Sequence, residues 1–212
     1  MPADPLTMYY VARKDIPLTL GQAMELAGAG AVRCSEALRA DPELADAFRA
    51  WDERPRKVAL RASAEEIDEL RSTLPGALVD GVLLCLPPMR KSDRPALLEA
   101  LRPFTDAPRP KEEPEPRAGA LRYVTRPGVI RTMGKAMAQA GHAALMAVER
   151  HGDALAEWRA AGMPGELRMV DDDEWERLRS DPAAVVVRDA GLTQVEAGTE
   201  TVIALPPERR RA

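Results

Sequence analysis

The chain of 212 residues has little that is aromatic, with 3 Trp, 3 Tyr and 2 Phe, or 4% in all. Small and aliphatic side chains therefore have to do most of the packing. Cysteine is scarce too. Cys34 and Cys85 form neither a CxxC pair nor a zinc quartet, so no disulfide framework is written here, and buried thiols in a reducing compartment are expected. The 2 histidines, His142 and His151, stand nine apart with no HExxH arrangement, so metal ligation has little support. A GxSxG elbow and a Cys–His pairing are both missing, which removes the usual signals of covalent acyl chemistry. The longest strongly apolar run, Val82 to Leu86, is far too short for a bilayer, and Met1 to Thr7 lacks a basic and apolar leader pattern. Both point to a cytoplasmic protein. The net charge is −4, so no global basic field draws nucleic acid, and a nucleic-acid partner needs a local patch.

What is present is 45% hydrophobic residues, enough for a core, and a chain that repeats itself once. YVARKDIPLTLGQ at 10–22 is answered by YVTRPGVIRTMGK at 123–135, with Tyr10, Val11, Arg13 and Gly21 matching Tyr123, Val124, Arg126 and Gly134. Each is followed by an Ala-rich stretch. Ala50-Trp51 is answered by Glu157-Trp158, SAEEIDELRS (63–72) by DDDEWERLRS (171–180), and LLCLPP (83–88) by VIALPP (202–207). The order never changes. This reads as one ancestral unit duplicated and fused, with residues 1–106 as the first copy, 107–117 as a Pro-rich charged tether and 118–212 as the second copy.

Periodicity predicts strands over Met8–Ala12, Lys57–Arg61, Leu121–Thr125, Glu166–Val170, Ala183–Arg188 and Thr201–Leu205. It predicts helices over Gly21–Arg39, Pro42–Trp51, Ala64–Ser72, Met133–Arg150, Asp153–Ala161 and Asp172–Ser180. Alternating strands and helices argue for α/β units with mixed sheets. Two such units in one chain suggest an internal version of a two-fold dimer.

The copies differ where chemistry would lie. In the second, Lys135, Gln139 and His142 share one helical side; in the first, the matching positions hold Gln22, Leu26 and Ala29. The second copy also has an insertion of ten residues between Asp189 and Pro207 relative to Asp80–Pro88, rich in Thr and Gly. A Lys at a helix start feels the positive end of the helix dipole, which disfavours its charge; a nearby Asp restores it. A Lys–Asp pair with flanking hydroxyls and an amide can position water and stabilise an oxyanion.

Gly134-Lys135-xxx-Gln139-xx-His142-Ala143 and Asp189-Ala-Gly-Leu-Thr193-Gln194…Gly198-Thr199-x-Thr201-Val202 together resemble the peptidyl-tRNA hydrolase 2 family. The resemblance covers 121–207, and residues 8–104 look like a degenerate copy. It implies a four-stranded mixed sheet flanked by helices in each unit, and a dimer-like arrangement that a single fused chain supplies by itself. It implies hydrolysis of the ester joining a peptide to the 3′ end of tRNA, without metal or organic cofactor. Lys135, Asp189, Thr193, Thr201 and Gln139 are the implied catalytic set. Arg126, Arg131, His142 and Gln194 are candidate substrate contacts. The chain departs from the family at Met133, where a further Lys is usual, and at Pro127-Gly128. A non-enzymatic tRNA- or protein-binding module on the same fold is the alternative reading. By charge, residues 1–107 carry net −3 and residues 118–212 net −1, so most excess acidity lies on the copy that lost its polar set.

Overall fold

The computed structural model describes residues 4–108, 117–191 and 195–208. The first half runs β1 (Thr7–Arg13), α1 (Leu20–Ala40), α2 (Pro42–Asp52), β2 (Lys57–Ala62), α3 (Ala64–Thr73), β3 (Ala77–Val79), β4 (Leu83–Met89), α4 (Ala96–Ala100) and β5 (Arg102–Pro103). The second runs β6 (Leu121–Thr125), α5 (Met133–His151), α6 (Ala156–Ala160), β7 (Gly165–Met169), α7 (Asp172–Arg179), β8 (Val185–Arg188) and β9 (Glu200–Leu205).

Helix starts follow the local chemistry. Thr19 and Gln22 form a reciprocal capping box on α1, as do Ser63 and Glu66 on α3. Thr132 caps α5 through the Lys135 amide, and Asp171 caps α7 through that of Glu174. The acidic run 171–174 is thus a helix start.

The two mixed sheets have strand orders β3-β4-β1-β2-β5 and β7-β6-β9-β8. In each, one parallel pair (β1 with β2, β6 with β7) is joined by a helical crossover, and the remaining pairings are antiparallel. Tyr10 lies opposite Ala59 and Cys85, and Tyr123 opposite Leu167 and Ala204. Reversed, the first order reproduces the second with β5 added at the edge. The first sheet therefore has five strands where four were expected. The extra one is held by Arg102–Phe104 returning along β2, with the Phe104 amide donating to the Ala59 carbonyl at 2.8 Å.

Helices α1 and α5 pack on each other and on both sheets, inside one apolar core that includes Met8, Tyr10, Met24, Ala27, Tyr123, Met137, Ala140 and Ala144. Alanine and glycine allow this close approach. A Cβ on Gly28 would collide with the Tyr123 hydroxyl and come within 3.4 Å of Ala144 Cβ; one on Gly141 would collide with the Tyr10 hydroxyl. The outer faces are covered separately. Ile67, Leu70 and Leu98 of α3 and α4 pack on Val11 and Leu84. Trp175 and Leu178 of α7 pack on Val124 and Ile203.

Two local expectations are corrected. The helix expected over Asp153–Ala161 splits into a 3-10 turn, Gly152–Leu155, and the short α6, because Gly152 takes φ 49° and ends α5 abruptly. Strand β8 begins at Val185, not Ala183, because Asp181 holds a turn: its side chain accepts from the Ala183 amide and its carbonyl from that of Ala184. The chain is docked on either side of residues 109–116. The Asp106 carbonyl accepts from the Met133 amide at 2.9 Å, and Arg117 pairs with Glu25. Residues 109–116 lie outside the described residues. Among the described residues no helix is long and apolar enough to cross a membrane.

Candidate functional site: a buried polar cluster at the start of α5

Thr132 fixes the first turn of α5 by accepting the Lys135 amide at 3.2 Å. Lys135 and Gln139, one turn apart, then project from the same side of the helix. Facing them is the end of β8. There Asp189 donates its amide to the Thr199 carbonyl at 2.8 Å and accepts from the Gly198 amide at 2.8 Å. The two arms of the long loop are thereby clamped at its base. The Asp189 side chain closes a tight turn by accepting from the Gly191 amide through Oδ1 at 2.8 Å, and Gly191 supplies the left-handed φ of 73° that the turn needs.

Asp189 Oδ2 accepts from both Lys135 Nζ and Gln139 Nε2, the latter at 2.7 Å. Gln139 Oε1 accepts from Thr201 Oγ1 at 2.8 Å, and the same hydroxyl lies 3.3 Å from the Val187 carbonyl. Thr125 Oγ1 donates to the Thr201 carbonyl at 2.9 Å, tying β6 to β9 beneath the cluster. Lys135 is 9% exposed, Asp189 6%, Gln139 4% and Thr201 0%. Charges so buried persist only when paired and hydrogen-bonded, and these are.

Strand register shows what the first half has instead. Val79 pairs Leu83 where Val187 pairs Val202, so the whole Asp189 loop is replaced by the two-residue turn Asp80-Gly81, with φ 50° and 68°. Asp80 is thus a turn residue, not a second Asp189. Thr201 corresponds to Val82, Thr125 to Ala12 and Gln139 to buried Leu26, while Gln22, at the Lys135 position, serves in the capping box.

The other candidates fall elsewhere. Thr193 and Gln194 lie outside the described residues. Arg126 is turned to α7, pairing with Asp172 at 3.0 Å and stacking over Trp175 at 4.7 Å, so it is not part of the cluster. Arg131 is exposed in the loop that leads into α5. His142 does not join Lys135 and Gln139; its Nδ1 lies 2.8 Å from Lys57 Nζ of the first half. Burial, then the nearby amines of Lys57 and Lys135, holds the His142 imidazole well below its usual 6.5. Burial likewise depresses Lys57, which sits 4.5 Å over the Trp51 ring. Lys57 and Thr125 were not found from sequence. Thr125 was legible as a Thr-for-Ala12 difference between the repeats; Lys57 depends on how the halves pack. Cys34 and Cys85 are buried and free, as expected, and burial pushes the Cys85 thiol up, which disfavours the nucleophilic thiolate. No group of His, Cys, Asp or Glu among the described residues is arranged to hold a metal ion.

No curated protein matches the chain. The model of one protein family does, over residues 123–212, and that family is peptidyl-tRNA hydrolase PTH2. The match takes in α5, the Asp189 loop and β9. Over that stretch, the second half of the chain is similar to this family.

Proposed function

We propose that the chain hydrolyses the ester of peptidyl-tRNA, or of another N-blocked aminoacyl-tRNA, at the cluster of Lys135, Asp189, Gln139 and Thr201. The family match makes that substrate class the first to test. The observation that carries the site is the buried Lys135–Asp189 ion pair, held by Gln139 and Thr201 in the second half, where the first half has apolar, capping and turn residues.

In this reading a water molecule attacks the ester carbonyl. Asp189 orients the water as acceptor, and the Lys135 ammonium stabilises the developing oxyanion. The carbonyl–oxygen bond to the ribose then breaks, and the proton released by the water passes to the ribose oxygen. Gln139 and Thr201 hold Asp189 and its neighbours in place before substrate arrives, so little reorganisation is needed at the moment of reaction. Thr193, in the same loop, belongs to the proposed set on the motif alone. A tRNA substrate in turn places the protein in the cytoplasm.

We also infer that residues 1–106 and 118–212 are two copies of one unit, joined by 107–117 and arranged as a dimer within one chain. Three things support this: the shared strand order, the matched capping of α1 and α5 by threonine, and the reciprocal seating of Tyr10 on Gly141 and Tyr123 on Gly28.

The test is release of peptide from a purified N-blocked aminoacyl-tRNA. Release by the wild type that disappears in Lys135→Met and Asp189→Asn supports the proposal. Retention of tRNA without release, weakening steeply as salt rises, would establish the binding module instead.

A further inference from the structure

The first half is not spent once it has buried its share of the core. Strand β2 of the first sheet lies along α5, the helix that carries Lys135, Gln139 and His142. At one end of this contact a Cβ on Gly134 would meet Ala59 Cβ at 3.4 Å; two turns along, a Cβ on Gly141 would meet Lys57 Cε at 3.3 Å. Lys57, the first residue of β2, thus reaches the helix beside His142 and closes the 2.8 Å contact with Nδ1. The mirror-image contact, β7 along α1, has nothing comparable. Register places Gly165 where Lys57 stands, and Ala29 occupies the position of His142. A partly desolvated Lys–His pair is therefore present only beside the polar cluster.

We propose that Lys57 is a positioning residue for the hydrolytic site of the other half, acting through His142. Its amine donates to Nδ1 and fixes the imidazole as a neutral ring with its hydrogen on Nε2, a donor for the incoming substrate. The proposal rests on the hydrolytic reading above. An amine always has N–H to give, so a hydrogen-accepting Nδ1 leaves Nε2 as the protonated nitrogen. A second proton on the ring would set a cation between Lys57 and Lys135, and the depressed titration of His142 reflects that cost. The other groups near the pair are Asp52, whose charge favours the Lys57 ammonium, Cys85, which burial keeps as the neutral thiol, and the Tyr10 hydroxyl, which packs against Gly141. The Trp51 ring covers the amine from a further side.

The chain has only 2 histidines, so nitrogen NMR of the full-length protein can follow each imidazole through a pH titration. His142 is expected as the Nε2–H tautomer in the wild type, titrating below 6.5. In Lys57→Met its midpoint should rise by ~0.5 unit or more, because one of the two opposing amines is gone. The hydrolysis profile should gain an acid limb at the same pH, with a fall in kcat of about 3- to 10-fold. Lys57→Arg, which keeps a cationic donor, should restore both. If Lys57→Met unfolds, Lys57→Gln, which keeps an N–H donor without the charge, should show the same rise in midpoint.

A wild-type Nδ1–H tautomer overturns the proposal, as does an unmoved His142 midpoint in Lys57→Met. So does a moved midpoint with an unchanged rate profile. A wild type that releases no peptide overturns the hydrolytic reading and this role together, whereas an active wild type with an indifferent Lys57→Met overturns this role alone.

Discussion

The two halves share a sheet, a crossover and a long Ala-rich helix, yet one positions a buried ion pair and the other a two-residue turn. The packing that builds the fold is therefore separable from the buried polar cluster. Tyr10 and Tyr123, Gly28 and Gly141, Trp51 and Trp158 recur because the shared core needs them. Each Trp even donates its ring N–H to an equivalent backbone carbonyl, Arg56 at 2.9 Å and Pro164 at 2.8 Å. Lys135, Gln139, Asp189 and Thr201 do not recur, and the first half packs Leu26 and Val82 at the positions of Gln139 and Thr201.

The sharpest way to break this comparison is to disarm each half in turn. Lys135→Met or Asp189→Asn should lower the rate of peptide release by about 10²- to 10³-fold or more, since each removes a charge aimed at the reacting centre. Gln22→Met, at the first-half position of Lys135, and Asp80→Asn, in the turn that stands in place of the Asp189 loop, should change that rate less than twofold. Release assays on the four variants decide it. A large loss from Gln22→Met would mean that the first half also carries chemistry.

The next effect should be equal on both sides. Gly28→Ala and Gly141→Ala each drive a methyl group into a tyrosine hydroxyl of the opposite half. Each should cost about 1–3 kcal/mol, or a melting temperature lower by about 2–12 °C in a chain of this size. Unequal losses measured by calorimetry would show that the seam is less reciprocal than its geometry.

Acid should act on one side only. His142 is held neutral in the folded chain, while in the unfolded chain it takes up a proton near 6.5. The unfolded state therefore binds more protons below that pH, and stability falls as pH drops through 6.5 toward the folded value, by up to about 1.4 kcal/mol per unit. Urea midpoints between pH 7.5 and 5.5 should show this slope in the wild type and a smaller one in His142→Asn. Ala29→Ser, at the corresponding place in α1, should leave it unchanged.

The smallest expected difference concerns the caps. Thr19→Ala and Thr132→Ala should each cost about 1 kcal/mol in thermal unfolding. Only Thr132→Ala should also slow hydrolysis, because that cap fixes the turn from which Lys135 projects.

Much of this division was legible in the sequence. Periodicity located six of the nine described strands and the two long helices to within a residue or two, because apolar period and capping residues agree there, but β3 and β4 of the first half were not among them. The fixed spacing of Lys135 and Gln139 put both on one helical face. The insertion read from the repeat marked the loop that brings Asp189 to them. What stayed hidden is tertiary. The direction of His142 depends on β2 of the first half lying along α5, and no period within α5 reports that. Arg126 precedes the motif, but it stacks on Trp175, 49 positions later, and not on the cluster, and no period in the sequence reports that. The fifth strand of the first sheet is only two residues long, too short to have a period at all.

The tyrosine–glycine seam carries a consequence for how this sequence can drift. Each tyrosine sets the size allowed at a glycine of the other half, so neither position is free to change alone. A larger residue at 141 is tolerable only with a smaller one at 10, and the same rule binds 28 to 123. Related sequences should therefore vary at these positions in pairs, 10 with 141 and 28 with 123, although each pair joins residues far apart along the chain. The polar cluster lies outside that rule, and one half can lose it without any answering change in the other.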